Sequence, residues 1–404
     1  MPANIQLPKI ERISVKNLLS FGNEGVDIKL EPLNILIGPN ASGKSNLLRA
    51  LSIFHYAPSD ISRAFAETDG PEEWPWKGLS QFADSQIAAT ISAGGKGIGH
   101  IINISIAPFM GTQLSSETVL MHDDPKLFPD SPPKVLYDYR KGRAKYLGKD
   151  LDLSAFSDQT TTPISRSFSS QSVLEVLKSP AEYAELRLLS MAYLLIGLYR
   201  GWTLSADFPP KRSQPTSQRG QMLQADASNL AMVILNLQNH HSGAFKTIEE
   251  DLKAIYPGVR GITVDVENNR AIILIHEKGL RKPVPAMLLS DGLLRYLCLL
   301  VVLRNPLVSS LIAIEEPEIG LHPDAILHLA DILKASSKDK QIIITTHSDI
   351  LVSQMTDIPE AVIVCERDEN GTKMARLEPE KLGKWLRDEY LGQIWLSGGI
   401  GGTL

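Results

Sequence analysis

The sequence predicts an α/β fold: a mixed sheet around one strand–loop–helix unit, an antiparallel β lobe and a helical insertion, with no long coiled coil. Three observations predict it. Leu33, Ile35, Leu36 and Ile37 form a short apolar run that enters a Gly-rich turn, and Leu47, Leu48, Ala50 and Leu51 then repeat at helical spacing. Alternating segments flank turn residues at both ends of the chain, over 86–92 and 100–107 around Gly94-Gly95 and over 262–267 and 271–276 around Asn268-Asn269. Between them the period becomes helical, with Leu186, Leu189, Tyr193 and Ile196 on one face. No heptad run is sustained and no segment repeats.

In chain order, residues 10–15 and 26–30 alternate like half-buried strands around a turn at Phe21-Gly22-Asn23. Residues 57–76 are rich in Pro, Asp and Glu and read as a surface excursion. From 110 to 166 the apolar period fades into Pro, Ser, Asp and Thr, which predicts loop or a small insertion. Helices are expected over 171–178, 181–199, 229–239 (with Ser228 as cap) and 245–255. An apolar helix follows over 293–303, broken by Asn305-Pro306, then a buried strand over 311–314, a helix near 323–336 and a strand over 341–345. A last hairpin, 361–365 with 374–377, turns at Asn370-Gly371. The glycines of 398–402 have nothing to bury and are expected to be flexible. The domain division expected is 1–109, 110–255, 256–378 and a tail, 379–404.

Composition narrows the function classes. The 404 residues are 43% hydrophobic and 22% charged, as in a globular protein. Lys and Arg number 41 against 46 Asp and Glu, a net −5, so nucleic-acid binding needs a local patch rather than an overall basic field. Cys298 and Cys365 lie in apolar runs and read as inert buried thiols. The N-terminus lacks a signal peptide pattern, and the apolar stretches near 188–199 and 297–303 are too short for a bilayer, so a cytoplasmic protein with no membrane partner is expected.

The chemistry sits in two regions. Gly38-Pro39-Asn40-Ala41-Ser42-Gly43-Lys44-Ser45 fits G-x-x-x-x-G-K-[ST] between a strand and a helix, followed by Asn46. That context aims backbone N–H groups and a helix N-terminus at nucleotide phosphates, with Lys44 on the β- and γ-phosphates and the Ser45 hydroxyl on Mg²⁺. Later, four apolar residues run into Glu315-Glu316. ATP hydrolysis needs one carboxylate beside Mg²⁺ and another for the attacking water, which assigns Glu315 to the metal and Glu316 to the general base. Ser290-Asp291-Gly292 opens a helix, and Thr346-His347-Ser348 follows a buried strand.

The order of these motifs resembles the heads of ABC ATPases of the SMC/RecF/OLD branch, in particular its stand-alone AAA-family ATPases. Leu289-Ser290-Asp291-Gly292 resembles the signature, with Asp in place of the usual first Gly. Glu315-Glu316-Pro317 resembles Walker B, Gly320-Leu321-His322-Pro323 the D-loop, and His347 the switch histidine. The resemblance covers about 10–107 and 256–377. It implies ATP and Mg²⁺ as cofactors, an ATP-sandwiched homodimer with Ser290 and Gly292 acting in trans, and catalytic roles for Lys44, Glu316 and His347. It also implies a Q-loop glutamine, for which Gln81, Gln86 and Gln171 are candidates, and a phosphate- or DNA-contacting arginine, for which Arg63 is the candidate.

The implied function is an ATPase head that couples nucleotide state to DNA or to a separate effector, with a TOPRIM-type nuclease as the candidate, in DNA repair or phage defence. Lys211, Arg212 and Arg219 are a candidate DNA-phosphate contact. The alternatives are the ATPase subunit of a membrane transporter and a nucleotide-dependent scaffold with negligible turnover. OLD-type relatives continue into a nuclease domain with an Asp-x-Asp pair. Here Glu366-Arg367-Asp368-Glu369 runs into Asn370-Gly371 with no later Asp-x-Asp, so a solvated hairpin turn is expected and not a nuclease centre.

Overall fold

The computed structural model describes residues 8–66, 70–78, 84–107, 111–123, 132–140, 143–151, 171–177, 183–202, 208–217, 220–307, 309–383 and 389–402. The chain divides into two compact units, one of residues 1–196, 363–377 and 400–404 and one of residues 197–362 and 378–399.

The first unit holds β1 (Lys9–Lys16), β2 (Val26–Lys29), β3 (Leu33–Ile37), α1 (Lys44–Tyr56), α2 (Ser62–Phe65), β4 (Ser85–Ala93), β5 (Lys96–Ala107), β6 (Gly111–His122), β7 (Lys134–Arg140), β8 (Arg143–Tyr146), β9 (Lys149–Leu151), α3 (Val173–Val176) and α4 (Ala184–Leu194). Eight strands form one antiparallel sheet in the order β2-β1-β4-β5-β6-β7-β8-β9. The antiparallel lobe is therefore larger than expected, because β6 to β9 occupy residues read as loop or insertion. The reason lies in β6. Its buried face carries Glu117, and a carboxylate facing inward erases the apolar alternation on which strand reading depends.

Glu117 is tolerated because every contact it makes is a donor. Its carboxylate takes hydrogen bonds from the Ser172 hydroxyl at 2.5 Å and the Val173 N–H at 2.7 Å, and lies 2.9 Å from Nε2 of buried His100. The His100 Nδ1 meets the Tyr193 hydroxyl at 3.2 Å. Tyr193 also stacks on Phe54 of α1, with centroids 4.8 Å apart, so the network backs the helix that follows the Gly-rich loop. Burial beside this carboxylate pushes the Tyr193 phenol well above its ordinary value. The excursion after α1 also folds inward: Phe65 and Trp74 are buried and meet edge to face at 4.8 Å. Residues 181–199 divide into α4 and a strand, since an uninterrupted apolar run carries no period to separate the two.

The second unit holds β10 (Ile196–Tyr199), which starts at the division, then β11 (Gln214–Pro215), α5 (Leu230–His240), α6 (Ser242–Ile255), β12 (Val259–Glu267), β13 (Arg270–Glu277), β14 (Val284–Pro285), α7 (Asp291–Arg304), β15 (Leu311–Glu315), α8 (Pro323–Ser336), β16 (Ile342–Thr345) and α9 (Asp349–Ser353). β15 pairs in parallel with β16, which places Glu315 opposite Thr345. The β12–β13 turn has Asn268 and Asn269 at φ 49° and 60°, the left-handed pair that a two-residue hairpin requires. Asn229, not Ser228, stands at the N-cap of α5 without capping it by its side chain; Ala231 N–H donates to Gln214 Oε1 at 2.7 Å, and the Ser228 hydroxyl bonds Gln224 instead.

From Leu293 to Leu303 every residue of α7 is buried, as befits a helix apolar all round. Its N-terminus is capped by the Ser290 hydroxyl, which accepts from Leu293 N–H at 3.3 Å. At its C-terminus Lys340 Nζ donates to the carbonyls of Leu303 and Asn305, both at 2.6 Å, a cation on the negative end of the helix dipole. The longest helices run to 14 residues, so no long coiled coil arises among the described residues.

A returning hairpin, β17 (Val362–Asp368) and β18 (Gly371–Arg376), lies beside β3 in the first unit. Its tip, Glu366 to Asn370, is exposed, as expected of a solvated turn. Two short helices end the chain, α10 (Pro379–Leu382) and α11 (Leu391–Leu396), and α11 buries Leu391, Ile394 and Trp395 in the second unit. The glycines expected to be flexible are tied down: Gly399 N–H bonds the Ile394 carbonyl at 2.9 Å and Gly402 N–H bonds Glu366 at 3.0 Å. Both cysteines are buried, and burial pushes the Cys365 thiol up to about 12 and that of Cys298 higher still. Neither is reactive at neutral pH.

Glu117→Ala strands three buried donors at once. We expect a loss of about 3 kcal/mol, read as a lowered midpoint in urea unfolding with an unchanged slope. A midpoint equal to that of the unaltered chain would show that the network carries no stability.

Candidate functional site

The phosphate-binding motif lies in the first unit. All five residues of β3 are buried, and the chain leaves it through Gly38 at φ 145°, Ala41 at φ 63° and Gly43 at φ 103°. Two of these glycines are required by their neighbours. A Cβ on Gly38 would stand 2.1 Å from the Cys365 carbonyl oxygen, and one on Gly43 would stand 2.2 Å from Thr372 Oγ1. Thr372 holds the loop from below, donating to the Ser42 carbonyl at 3.0 Å and meeting Ser20 Oγ at 2.7 Å. No sequence motif marks Thr372, which is 330 positions from Ser42.

α1 starts at Lys44 with Gly43 as its N-cap, and no side chain caps it. With no side-chain cap, this helix end has the chemistry of an anion site. Lys44 is 5% exposed, and its ammonium donates to the carbonyls of Gly38 at 2.7 Å and Pro39 at 2.9 Å, so it is anchored on the rim of the same loop. Ser42 Oγ is buried without a hydrogen-bond partner. Ser45 and Asn46 are half-buried in the first turn, while Asn40 and Ala41 are exposed. These residues fit a nucleotide's phosphates: an uncapped helix end, an orphaned hydroxyl and a buried cation in one turn.

The acids lie in the second unit. Glu315 ends β15, and Glu316 turns the chain at φ 45°, a left-handed conformation that costs about 1 kcal/mol or more in a non-glycine residue. The turn is pinned: Glu316 N–H donates to the Thr345 carbonyl and to its Oγ1, both at 3.1 Å. Adjacent carboxylates are thereby sent different ways, as two tasks require. His347 Nε2 lies 3.6 Å from Glu316 Oε1. Ser290 and Gly292 open α7, and a Cβ on Gly292 would stand 2.5 Å from the Gly320 carbonyl oxygen, so only glycine lets the Gly320-Leu321-His322-Pro323 turn approach.

Besides Thr372, two residues escaped the sequence reading. Arg295 is 3% exposed within α7, donating to the carbonyls of Trp202 at 2.9 Å and Glu316 at 2.7 Å. Its signal was present, a lone charge inside an apolar helix. Glu318 accepts from Thr346 Oγ1 at 2.7 Å and from His347 N–H at 2.8 Å. Three of the remaining candidates are engaged elsewhere. Gln86 bonds Asn103 and Gln171 bonds Glu175, each at 2.9 Å, and Arg63 lies over the Tyr56 ring at 4.8 Å. Lys211 forms an ion pair with Asp291, which corrects its reading as a DNA contact and gives the Asp in the signature a partner. Gln81 and Arg219 lie outside the described residues.

Strand, left-handed loop, uncapped helix and a strand-end acid pair define a class, the SMC-like ABC/AAA ATPase domain. A family model described as "AAA domain, putative AbiEii toxin, Type IV TA system" matches residues 122–353, and the chain belongs to that family. A second model, "AAA ATPase domain", matches residues 9–186. No curated protein matches the sequence. Among solved structures, the SMC head bound to the C-winged helix domain of ScpA is similar, with a TM-score of 0.51 and 16% identity over 93% of this chain and 99% of that one. The Smc head with an extended coiled coil bound to the C-terminal domain of ScpA, from Pyrococcus furiosus, matches with a TM-score of 0.51 and 15% identity over 95% and 99%. These likenesses show the fold. Among the described residues no helix is long and apolar enough to cross a membrane.

Lys44→Ala removes the one cation anchored on the loop. Nucleotide binding, followed by fluorescence of a labelled ATP analogue, is expected to weaken by at least 100-fold, the order of a buried charge-assisted contact. Binding within threefold of the unaltered chain would take Lys44 out of the phosphate site.

Proposed function

We propose that this chain binds ATP with Mg²⁺ and hydrolyses it, and that nucleotide state governs its association with a second copy and with an effector. The uncapped first turn of α1 carries the reading, since its N–H groups and the buried Lys44 have the chemistry of a phosphate cradle. Backbone N–H groups of residues 41–46 and the Lys44 ammonium hold the phosphates. The Ser45 hydroxyl would be a ligand of the ion, with Glu315 as its acid, and the ion would supply charge neutralisation at the transferred phosphoryl group. Glu316 accepts the proton of the attacking water, and His347 orients that carboxylate. The low cost of charge development in such a site comes from groups already fixed in place, here by the Thr345 bonds to Glu316.

For association, the signature end of α7 supplies a helix N-terminus with a hydroxyl, suited to the γ-phosphate held by another copy. Met287, Leu288 and Ile319 beside it are 66%, 70% and 45% exposed, apolar surface of the kind that a partner covers. Glu316→Gln keeps the shape of the acid but cannot take a proton, so it should bind ATP and lower turnover by at least 100-fold. In sedimentation that variant is expected to dimerise on adding ATP, and a second change, Ser290→Arg, to abolish the dimer. Normal turnover in Glu316→Gln would remove it from the base role, and a monomer indifferent to ATP would sink the trans arrangement.

We further propose that DNA cleavage, where this protein is involved in it, belongs to a separate effector of TOPRIM type, in DNA repair or phage defence. The family description names a toxin of a toxin–antitoxin system, and similar heads are seen with a bound protein partner. The acids of 366–369 are exposed on a hairpin tip, and Asp368 is paired with Lys373. Incubated with plasmid, Mg²⁺ or Mn²⁺ and ATP, the purified chain should leave the DNA intact. Cleavage lost in Asp368→Ala but kept in Lys44→Ala would place a nuclease in this chain.

A further inference from the structure

Glu318 has no part in the motifs described, yet its carboxylate joins the loop after β15 to the loop after β16. One oxygen, Oε1, accepts two hydrogen bonds from consecutive residues of the histidine loop, Thr346 Oγ1 at 2.7 Å and His347 N–H at 2.8 Å. Thr346 is fully buried, and its Oγ1 also accepts from Ser348 N–H at 3.0 Å. The loop carrying His347 is therefore held through a carboxylate. The other oxygen, Oε2, is buried with no hydrogen-bond partner. A desolvated carboxylate oxygen left unpaired costs about 1–3 kcal/mol, so stability alone does not explain an acid here.

Charge does. The guanidinium of Arg295, buried three positions after Gly292, is drawn below its ordinary value by that burial, and Glu318 is the foremost charge opposing the effect. Arg295 also donates to the Glu316 carbonyl at 2.7 Å, so the main chain at Glu316 is held by a cation that belongs to the signature helix. The imidazole of His347 stands 3.6 Å from Glu316, a separation fixed on one side by the Thr345 bonds and on the other by Glu318.

We propose that Glu318 is a positioning residue, which sets His347 against Glu316 by holding the Thr346 hydroxyl and the His347 N–H. The proposal rests on the ATPase reading for its kinetic consequence, but its structural content stands apart from it. A displacement of about 1 Å in such a site costs on the order of 100-fold in rate.

The test compares Glu318→Ala, which removes both acceptors, with Glu318→Gln, whose amide oxygen still accepts. Turnover should fall by about 100-fold in Glu318→Ala and by less in Glu318→Gln, with ATP affinity within threefold in both. In parallel, the imidazole resonances of ¹⁵N-histidine-labelled protein, assigned to His347 by their loss in His347→Ala, should shift in Glu318→Ala and largely recover in Glu318→Gln. A lowered unfolding midpoint with unchanged turnover and unshifted His347 resonances would overturn the proposal and leave Glu318 a structural acid. If the unaltered chain hydrolyses no ATP, the ATPase reading fails, and the resonances alone decide on Glu318. If Glu318→Ala does not fold, Glu318→Gln decides by the same two measurements, and wild-type values in both would refute the role.

Discussion

The second unit depends on one buried charge. Arg295 sits in a helix whose other residues from Leu293 to Leu303, Tyr296 aside, are apolar, and a guanidinium there must find acceptors or destabilise the helix. It finds them in carbonyls, those of Trp202 and Glu316, and in the charge of Glu318. A carbonyl acceptor fixes backbone rather than side chain. Arg295 therefore leaves the Glu316 carboxylate free to act while holding its main chain, which is already in a left-handed turn. Replacing Arg295 by an apolar residue would suit α7 alone and release the acid loop.

The first unit solves the opposite problem. Its loop must present N–H groups to an anion, so those groups cannot be capped from within. Rigidity is supplied from behind. Thr372 on the returning hairpin bonds the Ser42 carbonyl, and the hairpin approaches so closely, by the Cys365 carbonyl at Gly38 and the Thr372 side chain at Gly43, that no side chain fits. Donors stay exposed to a ligand while the carbonyl side of the loop is tied down, which is the division of labour that preorganised phosphate sites share. Behind α1, the stack of Phe54 on Tyr193 and the His100–Glu117 network extend that support into the eight-stranded sheet.

The Asp of the signature illustrates how a departure from a family pattern is absorbed. Asp291 lies in the first turn of α7, where a carboxylate favours the helix dipole, and Lys211 neutralises it.

Some of this was legible in the residues themselves. Local rules determined the strand into the loop at 38–45, the helix after it, the acid pair at a strand end, the cap at Ser290 and the Asn268-Asn269 turn, because spacing, side-chain type and backbone freedom act within a few residues. β6 was hidden because Glu117 faces inward, and its partners His100, Ser172 and Val173, up to 56 positions away, make that orientation affordable. Thr372, Arg295 and Glu318 were hidden for the same reason, since a hydrogen bond between distant positions leaves no period in the chain. The sequence by itself determined where the loop, the acid pair and the helix cap would form. Tertiary structure alone decided what holds them still, because the acceptors of a buried donor are chosen by the fold and not by neighbours in the chain.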